Sequence, residues 1–266
     1  MSDTNTALLP ALDALLPDWA ACAYADVAGH LLPCRAAAWL PARAQSVLMA
    51  VFPYRLPETL YAGRNVARFA VVPDYHRVIL ARLEQACDLL RTTYPAEAFV
   101  PFVDNSPIPE KHTAVHCALG VLGRHTLFVH PRWGSWVFLG CIVSTIDKSH
   151  WTRYNEAVHV PPPAACTACD HACARACPVG AIGENGVDRT RCLSFRSQRK
   201  DADRAALAAQ SGVLWGCDLC QEACPLNAHT AVQPLPEFVQ GAQARFDPHA
   251  PNRVWNNRGQ RTEDRR

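Results

Sequence analysis

The chain has 266 residues, of which 49% are hydrophobic, so it can build a substantial core as one large domain or two. Its formal net charge of +2 is too small to point to a nucleic-acid partner, although the basic side chains are almost all Arg, with Lys only at Lys111, Lys148 and Lys200. The opening MSDTNTALLPALDALLPDWA lacks a basic start and an unbroken apolar core, which argues against a signal peptide, and no stretch reaches the roughly 18 apolar residues that span a bilayer; the expectation is a soluble, cytoplasmic chain with no membrane contact.

In chain order, residues 45–52 (QSVLMAVF) form a short apolar run stopped by Pro53, which predicts a buried strand. After Asp74-Tyr75-His76, the segment 77–91 places Ile79, Leu83, Ala86 and Leu90 at helical spacing and predicts one amphipathic helix. Residues 98–103 (AFVPFV) read as a strand entering the polar turn Asp104-Asn105-Ser106-Pro107. The segment 109–120 (PEKHTAVHCALG) predicts a helix with an acidic first turn at Glu110 and a stop at Gly120. Residues 126–130 and 135–143 flank Pro131-Arg132-Trp133-Gly134 and predict a β-hairpin. Pro161-Pro162-Pro163 stiffens the chain and marks a boundary. Beyond about residue 226 no periodicity is visible, and the last ten residues are expected to be mobile.

Thirteen cysteines are present, eight of them between positions 166 and 224. Without an export signal such a cluster points to metal rather than disulfides. Cys22, Cys34, Cys87, Cys117 and Cys141 are scattered among apolar residues and read as small core residues. The first compact run is Cys166, Cys169, Cys173, Cys177 with Pro178; the second is Cys217, Cys220, Cys224 with Pro225. Close thiolate spacings closed by Cys-Pro are the signature of bacterial ferredoxins, in which the last Cys of each run ligates the other cluster. Cys192 supplies the eighth ligand, giving two 4Fe-4S clusters: Cys166, Cys169, Cys173 and Cys224 on one, Cys177, Cys192, Cys217 and Cys220 on the other. One departure is that three residues separate Cys169 from Cys173, where ferredoxins usually have two. Two zinc sites would also use eight thiolates, but zinc motifs do not typically close both runs with CxxxCP. The preceding residues argue for an enzyme, since a pure electron carrier needs no large second domain.

These residues resemble the epoxyqueuosine reductase family, especially its compact members. The matching stretches are Asp74-Tyr75-His76, 102–111 (FVDNSPIPEK), 119–129 (LGVLGRHTLFV), 134–140 (GSWVFLG), the cysteine module, 191–195 (RCLSF) and 215–227 (WGCDLCQEACPLN). The resemblance implies an α+β fold: a nitroreductase-like cobalamin-binding catalytic domain over 1–160, a bacterial two-cluster ferredoxin-like domain over 161–228, and a partly mobile C-terminal extension over 229–266. It implies a reductase that converts epoxyqueuosine in the tRNA wobble position to queuosine, with cobalamin collecting electrons from the clusters. The external donor would be a flavodoxin or ferredoxin, and the enzyme a monomer. Asp104 falls on the acidic residue of the family's VDxxP motif and is the nominated general acid, its carboxyl to be protonated by desolvation against an apolar macrocycle; an Asx turn ahead of Pro107 is the structural alternative. Tyr75, His76, Ser106, Gly120, Gly123, Arg124, His125, Gly134 and Ser135 are the expected corrinoid contacts, with His76 and His125 as conceivable cobalt ligands. Arg124 stands where most members have Lys. The family's extended C-terminal region is missing, and only 244–261, with four Arg and Trp255, offers RNA contacts in its place. The alternatives are a corrinoid reductase of another substrate, such as an organohalide, and a ferredoxin-type electron-transfer protein.

Overall fold

Every residue of β2 (Ser46–Pro53) is buried, because both faces of this strand are covered. A computed structural model describes residues 3–151, 153, 166 and 168–246. Four antiparallel strands lie in the order β1 (Asp18–Ala23), β2, β6 (Val137–Ser144) and β3 (Phe99–Phe102). The alternation of β2 divides its side chains between two cores: Leu48, Ala50 and Phe52 face one side, Val47, Met49 and Val51 the other. Covering both faces explains why an antiparallel strand reads as an unbroken apolar run rather than alternating with polar residues.

The first core is closed by the helix Tyr75–Thr93, which buries Ile79, Leu83, Ala86, Cys87 and Leu90 at the expected spacing. Asp74 caps it by accepting from the His76 amide at 3.1 Å. An earlier helix, Asp3–Leu15, packs on this one and carries Pro10 inside it. The helix Glu110–His116 lies against the second face of the sheet. It ends four residues before Gly120: Cys117 is the C-cap and Ala118 takes the left-handed turn at φ 56°. Gly120 instead lets β4 (Val121–Leu122) approach β5 (Phe128–Val129), since a Cβ there would stand 2.3 Å from the Val129 carbonyl oxygen.

The predicted hairpin of 126–130 with 135–143 is not formed. β5 pairs with β4, and β6 enters the centre of the large sheet between β2 and β3. Of the hairpin only the bridge between His130 and Gly134 remains, with both hydrogen bonds at 2.9 Å. An eight-residue apolar strand gains more from partners on both edges and cover on both faces than from a two-stranded ribbon. Of the scattered cysteines, Cys22, Cys87, Cys117 and Cys141 are buried and Cys34 is half-buried.

The cysteine module docks on this unit through Val66 and Trp215, which form a parallel bridge, and through the Ala67 amide on the Trp215 carbonyl at 2.8 Å. Beyond the module the chain returns: Leu235, Phe238 and Phe246 enter the first core, and Asn65 exchanges two hydrogen bonds with the Phe246 backbone at 2.7 and 2.9 Å. The Pro161–Pro163 boundary and the residues after 246, including Trp255, lie outside the described residues.

Candidate functional site

Two constellations stand out, one around Asp104 and one in the cysteine module. Asp104 and Asn105 follow β3 in left-handed conformations, φ 48° and 30°, which Asp and Asn adopt more readily than other non-glycine residues. Glu110 Oε1 accepts the Asp104 amide at 2.9 Å, so the acidic first turn of the next helix ties down the loop. The Asp104 side chain is 54% exposed. His76 Nε2 lies 3.1 Å from Asp104 Oδ2, and His76 Nδ1 lies 2.7 Å from Asp74 Oδ1. Tyr75 Oη points at the same Asp104 oxygen at 3.5 Å. Burial alone would lower the His76 pKa, but the hydrogen bonds from Asp104 and Asp74 outweigh it and raise it to about 9. With a carboxylate at each nitrogen, His76 is an imidazolium at neutral pH. Its ring stacks on Tyr75 at 3.9 Å, Tyr75 stacks on Phe138 at 4.0 Å and Phe138 on Tyr54 at 4.5 Å. The Asp104 carboxyl is thus half-exposed in the protein alone, and the proton beside it is held by His76. Ser106 is buried, its Oγ accepting from the Ile108 amide at 3.0 Å within the turn.

Lys111, next to Glu110, donates to the Thr126 carbonyl at 2.9 Å and so ties the Asp104 loop to the β4–β5 hairpin. The tip of that hairpin is Gly123-Arg124-His125-Thr126, closed by the Thr126 amide on the Gly123 carbonyl at 2.9 Å. Arg124 and His125 line one cavity together with Cys166, Cys169, Cys173 and Cys224. The sequence had grouped these four cysteines. Cys217 has Cys192 and Cys177 as neighbours, and Cys220 has Cys217, Cys192 and Cys173. The fold therefore brings the last cysteine of each run beside the other run. Burial, then the neighbouring Asp218 carboxylate and the thiols of Cys192 and Cys177, push Cys217 up to about 11, and burial followed by the surrounding thiols pushes Cys220 to about 12. Thiols packed this closely carry charge when it is shared with a cation such as iron. Four thiols, those of Cys166, Cys169, Cys173 and Cys224, line this one cavity. Four thiolates around one space are the donor set that a 4Fe-4S cluster takes. The extra residue before Cys173 is absorbed by His171, which turns left-handed at φ 47° with its amide on the Cys169 carbonyl at 2.7 Å.

Gly134 and Ser135 form the seam between the two parts. Gly134 has φ 59°, and a Cβ there would stand 2.1 Å from Asn227 Oδ1. Asn227 Oδ1 accepts the Ser135 amide at 2.8 Å, and Ser135 Oγ donates to Gln221 Oε1 at 2.9 Å. Sequence reasoning missed Asp74, Glu110, Gln221 and Asn227 as partners; for Asp74 the two-residue spacing to His76 was the available signal. It also missed Asp218, which lies between Cys217 and Cys220, is 3% exposed, and meets Arg64 at 2.8 Å and the Arg68 amide at 2.8 Å.

Residues 35–105 match the family model described as epoxyqueuosine reductase QueG, DUF1730, and residues 165–227 match the 4Fe-4S double cluster binding domain. The epoxyqueuosine reductase of Gloeobacter violaceus is 32% identical over 167 residues, covering 61% of this chain and 50% of that protein. That of Synechococcus sp. (strain RCC307) is 31% identical over 198 residues, covering 74% of this chain and 59% of that protein. The aligned part thus spans about half the length of these curated relatives. A crystal structure of an epoxyqueuosine reductase with an epoxyqueuosine-modified tRNA-Tyr stem loop superposes with a TM-score of 0.70 at 21% identity, covering 90% of this chain and 68% of that one, which establishes a shared fold.

Proposed function

We propose that the chain is a member of the epoxyqueuosine reductase family and that it reduces epoxyqueuosine in the wobble position of tRNA to queuosine. The observation that carries this reading is the pairing of a proton-holding array, Asp74–His76–Asp104, with a double-cluster module in one fold. Removing an epoxide oxygen as water and leaving a carbon–carbon double bond takes two electrons and two protons. The eight cysteines would hold two 4Fe-4S clusters, with the crossed assignment given above, and these deliver electrons singly. Cobalamin, when bound, supplies a metal centre able to gather single electrons for a two-electron reduction.

Beside Asp104, His76 ends the ring stack that runs through Tyr75 and Phe138 to Tyr54, and its outer face is the one we assign to a flat conjugated ring, while Arg124 sits on the hairpin tip that Lys111 ties to the Asp104 loop. Tyr75, His76, Gly123 and Arg124 are the residues we assign to holding that ring. Asp104 is the group we assign to the epoxide oxygen. Its half-exposed carboxylate is available to substrate and relays the proton that His76 Nε2 holds 3.1 Å away. Ser106, Gly120, Gly134 and Ser135 shape the loops and the module seam. An external one-electron donor such as flavodoxin or ferredoxin, a cytoplasmic setting and a monomeric enzyme complete the proposal. No helix among the described residues is long and apolar enough to cross a membrane.

Anaerobic reconstitution tests this directly. Iron, sulfide and corrinoid should load together, and Asp104→Asn should keep all three while losing at least 100-fold in turnover, the ordinary contribution of a positioned proton donor being about 10²–10⁴. Full activity in Asp104→Asn would remove that residue from the mechanism.

A further inference from the structure

His125 sits away from the proton-holding array, and its ring has an unspent hydrogen-bond donor. The residue is 3% exposed. The Leu127 amide donates to Nδ1 at 3.2 Å, which makes Nδ1 an acceptor and leaves a neutral ring with its proton on Nε2. Nε2 is buried and has no partner among the described residues. An unpaired buried donor destabilises by about 1–3 kcal/mol, a cost that an acceptor inside the adjoining cavity would remove. The local backbone is shaped around this ring: a Cβ on Gly123 would stand 2.7 Å from Cε1 and 3.1 Å from Nε2. The same ring lines the cavity walled by Cys166, Cys169, Cys173 and Cys224, with Arg124 beside it. The acceptors that a 4Fe-4S cluster brings to such a cavity are its sulfides and its cysteine thiolates.

We propose that His125 Nε2–H donates a hydrogen bond to a sulfur of the cluster held by Cys166, Cys169, Cys173 and Cys224, and so sets that cluster's reduction potential above the value the cysteines alone would give. The physics is one of differential stabilisation. Reduction adds a negative charge that spreads over the sulfurs, so an N–H donor aimed at them binds the reduced form more tightly than the oxidised one. Arg124 acts in the same direction from the same wall. His125 is a positioning and tuning residue here; it neither ligates iron nor touches substrate, and its partner is the cluster in place of the corrinoid. The inference rests on the double-cluster reading of the module.

The test is an EPR-monitored redox titration of the anaerobic holoenzyme, with iron and sulfide analysis run alongside. In His125→Leu one cluster should titrate at lower potential, with a roughly tenfold shift in its reduction equilibrium, about 59 mV for one electron, while the other is unmoved. His125→Gln, whose amide N–H can reach the same position, should restore most of the difference. Pulsed EPR of protein labelled with 15N-histidine should show a weak nitrogen coupling to the reduced cluster, lost in His125→Gln. Unchanged potentials in a fully loaded His125→Leu overturn the proposal. So does the absence of a coupling lost on replacing His125, a result that decides the matter even when the Leu variant fails to load. Failure of the wild type to hold two clusters would overturn the module reading instead, and the iron count separates the two outcomes.

Discussion

Replacing His76 by Phe keeps an aromatic ring stacked on Tyr75 but deletes both hydrogen bonds and the charge between Asp74 and Asp104. His76 has a folded pKa of about 9 against 6.5 for the free side chain. Because the folded value is the higher one, the array stabilises the protein fully below pH about 6.5 and loses that contribution as pH rises through 9. At pH 7 the linkage corresponds to about 2.5 kcal/mol. Asp104 is 54% exposed, so solvent screening reduces this to about 1–2 kcal/mol. The assay has two readings. In protein labelled with 13C-histidine, the His76 ring should titrate near 9, and Asp74→Asn should move that midpoint down. Hydrogen exchange over the helix Tyr75–Thr93 should be faster in His76→Phe at pH 6, with the difference gone near pH 10. A His76 midpoint at or below 6.5, or one indifferent to Asp74→Asn, would refute the reasoning.

Three other perturbations probe the module and its seam. If ligation is crossed, Cys177→Ser with Cys192→Ser damages a single cluster and leaves about half the iron, with one EPR signal intact; ligation within each run would instead disturb both signals. Arg64→Ala leaves the buried Asp218 without its 2.8 Å ion pair and should destabilise the docked module by about 3–5 kcal/mol, read as faster proteolysis between the two parts. Gly134→Ala forces a left-handed residue to carry a Cβ against Asn227 and should cost about 1–3 kcal/mol in thermal unfolding, while Asn227→Ala combined with it should recover part of the loss.

How much was legible from the residues follows from how local each signal is. The helix Tyr75–Thr93 and β2 were readable because their periodicity and burial are properties of a single segment. The cysteine module was readable because thiolate spacing is itself the chemistry. β6 was misassigned because the turn signal at Pro131–Gly134 is real but closes only one bridge, and nothing local tells a strand buried on both faces which neighbours it will take. The helix Asp3–Leu15 and β1 were missed: Pro10 reads as a break, yet the helix persists when Leu12 and Leu16 are buried against the first core. The return of Leu235–Phe246 is aperiodic and short, so only the core it fills identifies it. At the site, Asp104 and the cysteines were visible as motifs, whereas Glu110, Gln221 and Asn227 act through contacts that depend on the tertiary arrangement.

The measurement closest to the central claim is queuosine content in the tRNA of a bacterial strain lacking its own epoxyqueuosine reductase and expressing this chain with cobalamin supplied. The account predicts that queuosine replaces epoxyqueuosine with the native chain and that epoxyqueuosine persists with Asp104→Asn. Persistence of epoxyqueuosine with the native chain, purified from the same cells carrying both clusters and corrinoid, would contradict it.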